Sequence, residues 1–160
     1  MSEHTYQQLI SLLEQQHASF QALEHPSAGK SEEVAKIRGT EVGQGAKALV
    51  CKIKGNGIKQ YVLAVLPADQ QANLQKVALA LGGTRASLAS PDEVTRLTDC
   101  VFGAIPPFSF HPELMLVADP SLLQRYPELA FNAGTLEKSI VLKTADYAKI
   151  AQPKLIEFIN

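Results

Sequence analysis

Residues 47–66 read KALVCKIKGNGIKQYVLAVL, and they decide the fold. Two apolar runs, 47–53 and 61–66, flank a short polar segment with Asn56-Gly57 at its centre. Asparagine and glycine both tolerate the positive φ angles of a tight two-residue turn, so this pair is a strong hairpin signal. The two runs are therefore predicted to form neighbouring antiparallel strands.

Lys47 is the most informative residue of this hairpin. Side chains alternate along a strand, so Lys47 shares a face with Leu49, Cys51 and Ile53, while Lys52 and Lys54 point the other way. An ammonium group on the apolar, buried face is costly, and a protein keeps one there to bind an anion or a carbonyl oxygen. Alternatively, Lys47 lies at the edge of the strand and extends to water. The alternation leaves both interpretations open.

Strands and helices are mixed along the rest of the chain without strict alternation. Helical spacing or end signals predict helices at 4–16, 31–38, 74–81, from the Ser90 to Glu93 capping box onward, and from a Thr144 cap to Pro153. Further strands are predicted at 18–25, 114–118, 128–133 and 138–143. We expect a single domain over residues 1–160, with an antiparallel or mixed sheet and helices around it.

Composition and charge exclude several classes of protein. Hydrophobic residues make up 46% and charged residues 19%, which is typical of a compact soluble protein. With 15 Lys plus Arg against 16 Asp plus Glu, the chain is not one that coats nucleic acid nonspecifically. A local patch could still touch a few phosphates of an RNA end, and its candidate cations are Lys30, Lys36, Arg38, Lys52, Lys54 and Lys59.

The N-terminal residues and the cysteines indicate a compartment. There is no signal-peptide pattern and no apolar run of about 18 residues, which a membrane span would need. Cys51 and Cys100 lie far apart in the sequence and form neither a C-x-x-C motif nor a disulfide framework. We expect a cytoplasmic protein that is not bound to a membrane, with Cys51 in the core.

The segment 101–112 holds a cluster of stiff residues, VFGAIPPFSFHP. Gly103 lets another backbone or a ligand approach closely, and Pro106 and Pro107 fix the chain beside it. The cluster is either a stiff corner of the fold or one wall of a site. His25 and His111 each precede a proline without a spacing typical of metal ligands, and no phosphate-loop or dinucleotide motif is present. We therefore expect neither a metal nor a cofactor.

Several landmarks, taken in order, resemble the YbaK/ProX family of aminoacyl-tRNA deacylases, which is related to the editing insertion of bacterial prolyl-tRNA synthetases. The resemblance spans about residues 20–150, and its landmarks are HPSAGKSEEVAKIRG, GQGAKALVCKIKG, YVLAVLPADQQANLQKVALALGG, ASLASPDEV and VFGAIPPFSF. It implies a mixed α/β fold with a largely antiparallel, barrel-like sheet. It also implies hydrolysis of the ester that joins a wrong amino acid to the terminal adenosine of a tRNA.

The resemblance also implies site residues. Lys47 matches the invariant lysine of the family, and Gly103 and Pro107 match the ends of its G-x-x-x-P loop. The loop residues between them would then line the aminoacyl pocket, and Ser31 stands where many relatives carry threonine. The implied substrate-binding residues are Ser31, Ala104, Ile105, Pro106, Phe108, His111, Asn132 and Gly134.

The implied chemistry needs no cofactor. Backbone N–H groups of a rigid loop suit the oxyanion of ester hydrolysis, and Lys47 would hold the substrate near a water. No loop side chain is an obvious general base, so a hydroxyl or amine of the substrate, or a positioned water, would share that work. The family resemblance favours removal of a small residue such as serine, threonine or alanine, with serine first.

The expected partner is the acceptor end of a mischarged tRNA, with an aminoacyl-tRNA synthetase as a second candidate. Two other readings stay open. One is a noncatalytic module that binds aminoacyl-tRNA or a synthetase, and the other is a stress-related protein-interaction domain. The sequence leaves the oligomeric state open.

Overall fold

Five α-helices and eight strands follow one another along residues 2–160, which the computed structural model describes. The helices are α1 Ser2–Gln15, α2 Ser31–Arg38, α3 Leu74–Ala80, α4 Pro91–Thr98 and α5 Thr144–Ala151. The strands are β1 Phe20–Glu24, β2 Ala46–Gly55, β3 Ile58–Pro67, β4 Arg85–Leu88, β5 Leu114–Ala118, β6 Glu128–Asn132, β7 Lys138–Lys143 and β8 Lys154–Leu155. Short 3-10 turns occupy Val42–Gln44 and Pro120–Leu123. Within the described residues, no helix is long and apolar enough to cross a membrane.

The strands form two sheets. One has the order β4-β2-β3-β5-β8 and the other β1-β7-β6. The predicted hairpin is confirmed: β2 and β3 are antiparallel, with Asn56 at φ 53° and Gly57 at φ 78° in the turn. The β3–β5 and β5–β8 pairs are parallel, so the first sheet is mixed.

The mixed α/β class is confirmed, but the sheets do not close into a barrel. Their link is an isolated parallel bridge between Gly45, just before β2, and Ala130 of β6. Gly45 approaches closely here, because a Cβ placed on it would lie 2.9 Å from the Ala68 side chain. The two sheets therefore meet at the start of β2, the end that carries Lys47.

The five-stranded sheet is buried on both faces. On one face, Val50 packs in a cluster with residues of α1, α4 and the three-stranded sheet. On the other face, Cys51 and Ile53 pack against α3 and against Phe158, which lies close to the C-terminal end of the sequence. Cys51 is fully buried, as predicted, and this burial raises the pKa of its thiol to about 12. Strands β2 and β3 carry apolar residues at successive positions because both faces of the sheet are buried.

The helix-end predictions were partly right. Ser90 and Glu93 form the capping box, and Pro91 is the first residue of α4. Helix α2 ends at Arg38 and is followed by Gly39, whose φ of 74° is the left-handed conformation that favours glycine at a helix end. The predicted Thr144 cap is wrong: Thr144 is the first residue of α5, and its hydroxyl donates to the carbonyl of Tyr126 at 2.7 Å instead.

Candidate active site

A cleft opens where the two sheets meet, and it brings together part of the predicted site. Its volume is about 120 Å³. Its walls come from α2, the start of β2, the 101–107 loop and β6. The predicted site residues that line it are Ser31, Lys47, Gly103, Ile105 and Asn132.

Lys47 lies in this cleft, half-buried, near the start of β2. It pairs with Leu66 of β3, and its Nζ donates to the backbone carbonyl of Gln70 at 2.9 Å. A lysine ammonium has three donors, so two remain available to a ligand. No carboxylate of the described chain forms an ion pair with it. Lys47 therefore lies near a strand end and lines a partly enclosed cleft, and its binding role stays a prediction.

The 101–107 loop, here called the Gly103 loop, is held in place by hydrogen bonds to its carbonyls. The Gly103 carbonyl accepts from Asn132 Nδ2 at 2.8 Å, the Ala104 carbonyl from the Gly134 N–H at 2.9 Å, and the Pro107 carbonyl from the Tyr147 hydroxyl at 2.8 Å. Gly103 itself has a φ of 89°. Three carbonyls of the loop are therefore anchored to the rest of the protein.

The amide groups of this loop that have no acceptor include those of Gly103 and Ile105. Within residues 2–160, the N–H groups of Gly103 and Ile105 make no hydrogen bond to another part of the protein. Both residues line the cleft. Free N–H groups on a fixed backbone are suitable donors to an oxygen that gains negative charge during a reaction.

Asn132 joins the walls of the cleft. Its Nδ2 donates to the carbonyls of Ala28 and Gly103, at 3.1 and 2.8 Å. Its Oδ1 accepts from Arg38 Nη2 at 3.1 Å and from the Ser139 hydroxyl at 3.2 Å. Two donors and two acceptor positions are thereby used, which is the full capacity of an asparagine amide. Asn132 thus holds two loops at a fixed separation.

Arg38 also lines the cleft, and the sequence named it only as a cation of the suggested RNA patch, not as a site residue. It is the last residue of α2, half-buried, and its Nε donates to the Ser139 hydroxyl at 2.9 Å. His25 contacts the same hydroxyl through Nε2 at 2.7 Å. Burial lowers the pKa of the Arg38 guanidinium to about 10, so it stays cationic at neutral pH. No carboxylate in the described part of the chain lies within 4.0 Å of it.

The cleft is cationic as a whole. Lys47 and Arg38 line it, and its described lining includes no Asp, Glu or His. Phe102, with 67% of its surface exposed, stands at its rim and was not predicted either. Such a site suits a ligand that presents anionic or carbonyl oxygens together with apolar surface.

Other predicted site residues lie behind or away from the cleft. Ala104, Pro106 and Pro107 are buried beneath the loop surface. Phe108 packs edge-on against Phe131 and Tyr147, with ring centroids 6.0 and 5.2 Å apart. These residues, with Gly134, support the loop from inside, and their binding roles stay predictions.

His111 lies in the turn before β5, where its Nδ1 accepts from the N–H of Glu113 at 3.1 Å. It is absent from the cleft lining, and its binding role stays a prediction. Of the cations in the suggested RNA patch, Arg38 lies in the cleft, while Lys52 forms an ion pair with Glu93 at 2.8 Å. Across residues 2–160, no three His, Cys, Asp or Glu side chains are grouped as metal ligands would be.

The chain is similar to a known protein family and to several known proteins. The model of the aminoacyl-tRNA editing domain matches residues 25–150. The chain is 64% identical over 154 residues to a multifunctional Ser/Thr-tRNA deacylase, ProXp-y, of Escherichia coli (strain K12), covering 96% of this chain and 92% of that protein. It is also 33% identical over 73 residues to a proline–tRNA ligase of Geobacillus thermodenitrificans, covering 46% of this chain and 12% of the ligase.

A solved structure has the same fold. It was described as a proposed trans-editing enzyme for prolyl tRNA synthetase, with a TM-score of 0.80, 24% identity, and coverage of 98% of this chain and 97% of that one. At this identity the likeness shows the fold alone. The family match and the Escherichia coli relative go further, and the chain belongs to the aminoacyl-tRNA editing domain family.

Proposed function

We propose that this protein is a trans-editing deacylase, which hydrolyses the ester between a wrongly attached amino acid and the terminal adenosine of a tRNA. The observation that carries the proposal is the cleft, where the Lys47 ammonium and the fixed Gly103 loop line one small space. Family membership and the 64% identical Ser/Thr-tRNA deacylase support the reaction class.

The Gly103 loop supplies the electrostatic part of the proposed mechanism. Attack of water on the ester carbonyl places negative charge on the carbonyl oxygen. We assign the free N–H groups of Gly103 and Ile105 as donors to that oxygen. The hydrogen bonds from Asn132, Gly134 and Tyr147 to the loop carbonyls support this assignment, because they anchor the backbone that carries these donors. Loss of one such donor costs roughly 10²- to 10³-fold in rate in comparable enzymes.

Lys47 holds the substrate in this proposal. Its two free N–H donors can bind oxygens of the ribose, the phosphate or the aminoacyl group, while Gln70 fixes the third. This fixes the ester near an attacking water, and positioning alone lowers a reaction barrier substantially.

The proton acceptor comes from outside the protein's side chains in this scheme. No carboxylate or imidazole is among the described residues that line the cleft. We therefore assign the removal of the water proton to the substrate's own hydroxyl or amine, assisted by a second water.

A small amino acid suits the cleft. Its volume of about 120 Å³ and its apolar lining, which includes Val34, Ala46 and Ile105, leave little room beside the ester. Size exclusion rejects larger residues but separates neighbours differing by one methyl group by only ~1–3 kcal/mol. We propose serine as the preferred residue, with threonine and alanine as weaker substrates. Ser31 contributes a hydroxyl to the lining.

The proposed partner is the acceptor end of a mischarged tRNA in the cytoplasm. The similarity to part of a proline–tRNA ligase supports a relation to a synthetase-borne editing segment. Association with a synthetase is proposed as a second, optional partner.

The first test is single-turnover deacylation of a panel of mischarged tRNAs, including seryl-tRNA made on a threonine acceptor. We expect rapid release of serine, and loss of at least 10²-fold when Lys47 is changed to alanine. Lys149→Ala is the matched control, because Lys149 is an exposed lysine of α5 outside both the cleft and the suggested RNA patch. Lys149→Ala is expected to leave the rate unchanged.

Three results would contradict the proposal. Full activity of Lys47→Ala would remove that residue from the mechanism. Binding of aminoacyl-tRNA without release from any substrate would instead favour the noncatalytic module. If a nonhydrolysable aminoacyl-adenosine analogue failed even to raise the melting temperature, the aminoacyl site itself would be refuted, since a ligand of the folded state must stabilise it.

A further inference from the structure

The Arg38 guanidinium has unused hydrogen-bonding capacity in the cleft. Of its five N–H donors, one on Nε and one on Nη2 are bonded, to Ser139 and Asn132. Nη1 has no partner in the described part of the chain, and it is not among the buried polar atoms left unsatisfied. Its donors are therefore within reach of a ligand.

A purely structural role explains the charge poorly. The acceptors of Arg38 are a neutral hydroxyl and a neutral amide, which a neutral donor could also bridge. Placing a cation there costs desolvation that no acidic partner offsets, and Lys47 adds a second positive charge to the same cleft. An anionic group of a ligand would offset both charges.

The proposed substrate narrows the choice of anion. An aminoacyl ester carries a cationic or neutral amino group, which two cations would not attract. Its anion is the phosphodiester on the 5′ side of the terminal adenosine. A guanidinium presents parallel N–H donors that match phosphate oxygens, which a lysine does not.

We propose that Arg38 binds this phosphodiester through its free N–H donors and so positions the ester against the Gly103 loop. The inference rests on the proposed function and names the group of the same substrate that the residue binds. Because Arg38 also bonds Asn132, which holds the Gly103 carbonyl, substrate binding and loop position are joined through one side chain.

The test compares two substrates that differ by the 5′-phosphodiester and its small methyl cap: seryl-adenosine, and seryl-adenosine with a 5′-methyl phosphodiester. Arg38→Gln is expected to reduce kcat/KM roughly 10- to 100-fold on the second substrate, as loss of a charged hydrogen bond would. On seryl-adenosine the change is expected to stay within about twofold. Lys149→Gln removes the same charge from an exposed position in the last turn of α5, outside the cleft and the suggested RNA patch, and is expected to change neither. An equal loss on both substrates would show a role through Asn132 alone and would overturn the proposal.

A binding measurement separates this proposal from the proposed function. The probes are the 3′-amide analogues of the same two compounds, which cannot be hydrolysed. The unmodified protein is expected to bind the phosphodiester form more tightly, and Arg38→Gln to lose that preference. If no substrate is hydrolysed but this preference exists, the deacylase proposal fails and the Arg38 proposal stands. If the preference is absent or survives the substitution, the Arg38 proposal fails.

Arg38→Lys covers the case in which Arg38→Gln does not fold. It keeps a cation at the site but loses the planar pair of donors. A reduced preference for the phosphodiester analogue is expected, and an undiminished one would overturn the assignment of the guanidinium.

Discussion

Gly103 is the residue at which backbone conformation and the proposed chemistry meet. Its φ of 89° lies in the region that side chains with a Cβ rarely adopt. A Cβ added here would lie 3.6 Å from the Leu136 side chain and 3.7 Å from the carbonyl oxygen of Gly29, which are ordinary contacts. Glycine is therefore needed here because the backbone conformation would strain another residue, and not because space is lacking.

Replacement of Gly103 by alanine should separate stability from activity. We expect unfolding free energy to fall by about 1–2 kcal/mol, the cost of the left-handed conformation for alanine. The rate of serine release should fall by more than this loss of stability alone would explain, because a relaxed loop moves the N–H donors. Gly57→Ala is the control, since Gly57 has a φ of 78° with no atom near its added Cβ and lies in the hairpin turn. Equal deacylation rates in the two variants, measured beside their urea denaturation curves, would exclude a catalytic role for the loop.

The sequence predicted those site residues whose local pattern is unusual. Lys47 interrupts an apolar alternation, and Gly103 begins a glycine-proline cluster, so each is visible without knowledge of its neighbours. Arg38 has no such signal, because a cation in the last turn of a helix is already favoured by the helix dipole. Its position in the cleft depends on β6 and β7, which supply Asn132 and Ser139 about a hundred residues later in the chain.

At the scale of elements, α4 is attached to the five-stranded sheet through Glu93. Its carboxylate pairs with Lys52 of β2 at 2.8 Å, accepts from the Tyr61 hydroxyl of β3, and completes the capping box with the Ser90 N–H at 2.9 Å. Arg96 of the same helix lies over the Tyr61 ring, 5.3 Å from its centroid. One carboxylate thus fixes the start of α4 and its position on the sheet.

This arrangement predicts a dependence of stability on pH. Lys52, followed by Tyr61 and the Ser90 N–H, holds the pKa of the Glu93 carboxyl far below its usual value. A lowered pKa in the folded state means that the unfolded chain binds more protons, so stability falls as the pH drops below about 4.5. We expect Glu93→Gln to be less stable at pH 7 and to lose less stability on acidification, as measured by urea midpoints between about pH 3 and 7. The remaining slope belongs to the other carboxyls with lowered pKa, Glu3, Asp69 and Asp119. Identical slopes for the two proteins would contradict the assignment.

The elements that the sequence analysis missed are short strands that form only by pairing with other strands. Strand β4 has only four residues, RASL, and exists because it pairs with Lys54 to Cys51 of β2. Strand β8 has two residues and follows Pro153 along β5. Periodicity needs more residues than these to be visible. The longer strands were predicted correctly from their periodicity. Their division into two sheets was not predicted, since pairing depends on distant segments.

At the scale of the molecule, one sheet separates two hydrophobic clusters. The C-terminal residues close the second cluster, and Asp119 holds them by accepting from the N–H groups of Phe158 and Ile159 at 2.8 and 3.3 Å. The first cluster lies between the two sheets and supports the Gly103 loop through Phe108 and Tyr147. Strands β2 and β3 contribute side chains to both clusters, so both clusters depend on the same sheet.

We therefore predict that the chain unfolds as a single cooperative unit, in keeping with the expected single domain. Each cluster contains one buried cysteine, Cys100 in the first and Cys51 in the second, so thiol labelling reports on both. In a urea series, with labelled peptides quantified by mass spectrometry, both thiols should become reactive at one midpoint. Phe158→Ala, which empties part of the second cluster, should lower stability by about 3–5 kcal/mol and move both midpoints together. Labelling of Cys51 at lower urea than Cys100 would instead mean that the second cluster opens by itself, and that the loop of the candidate active site does not depend on it.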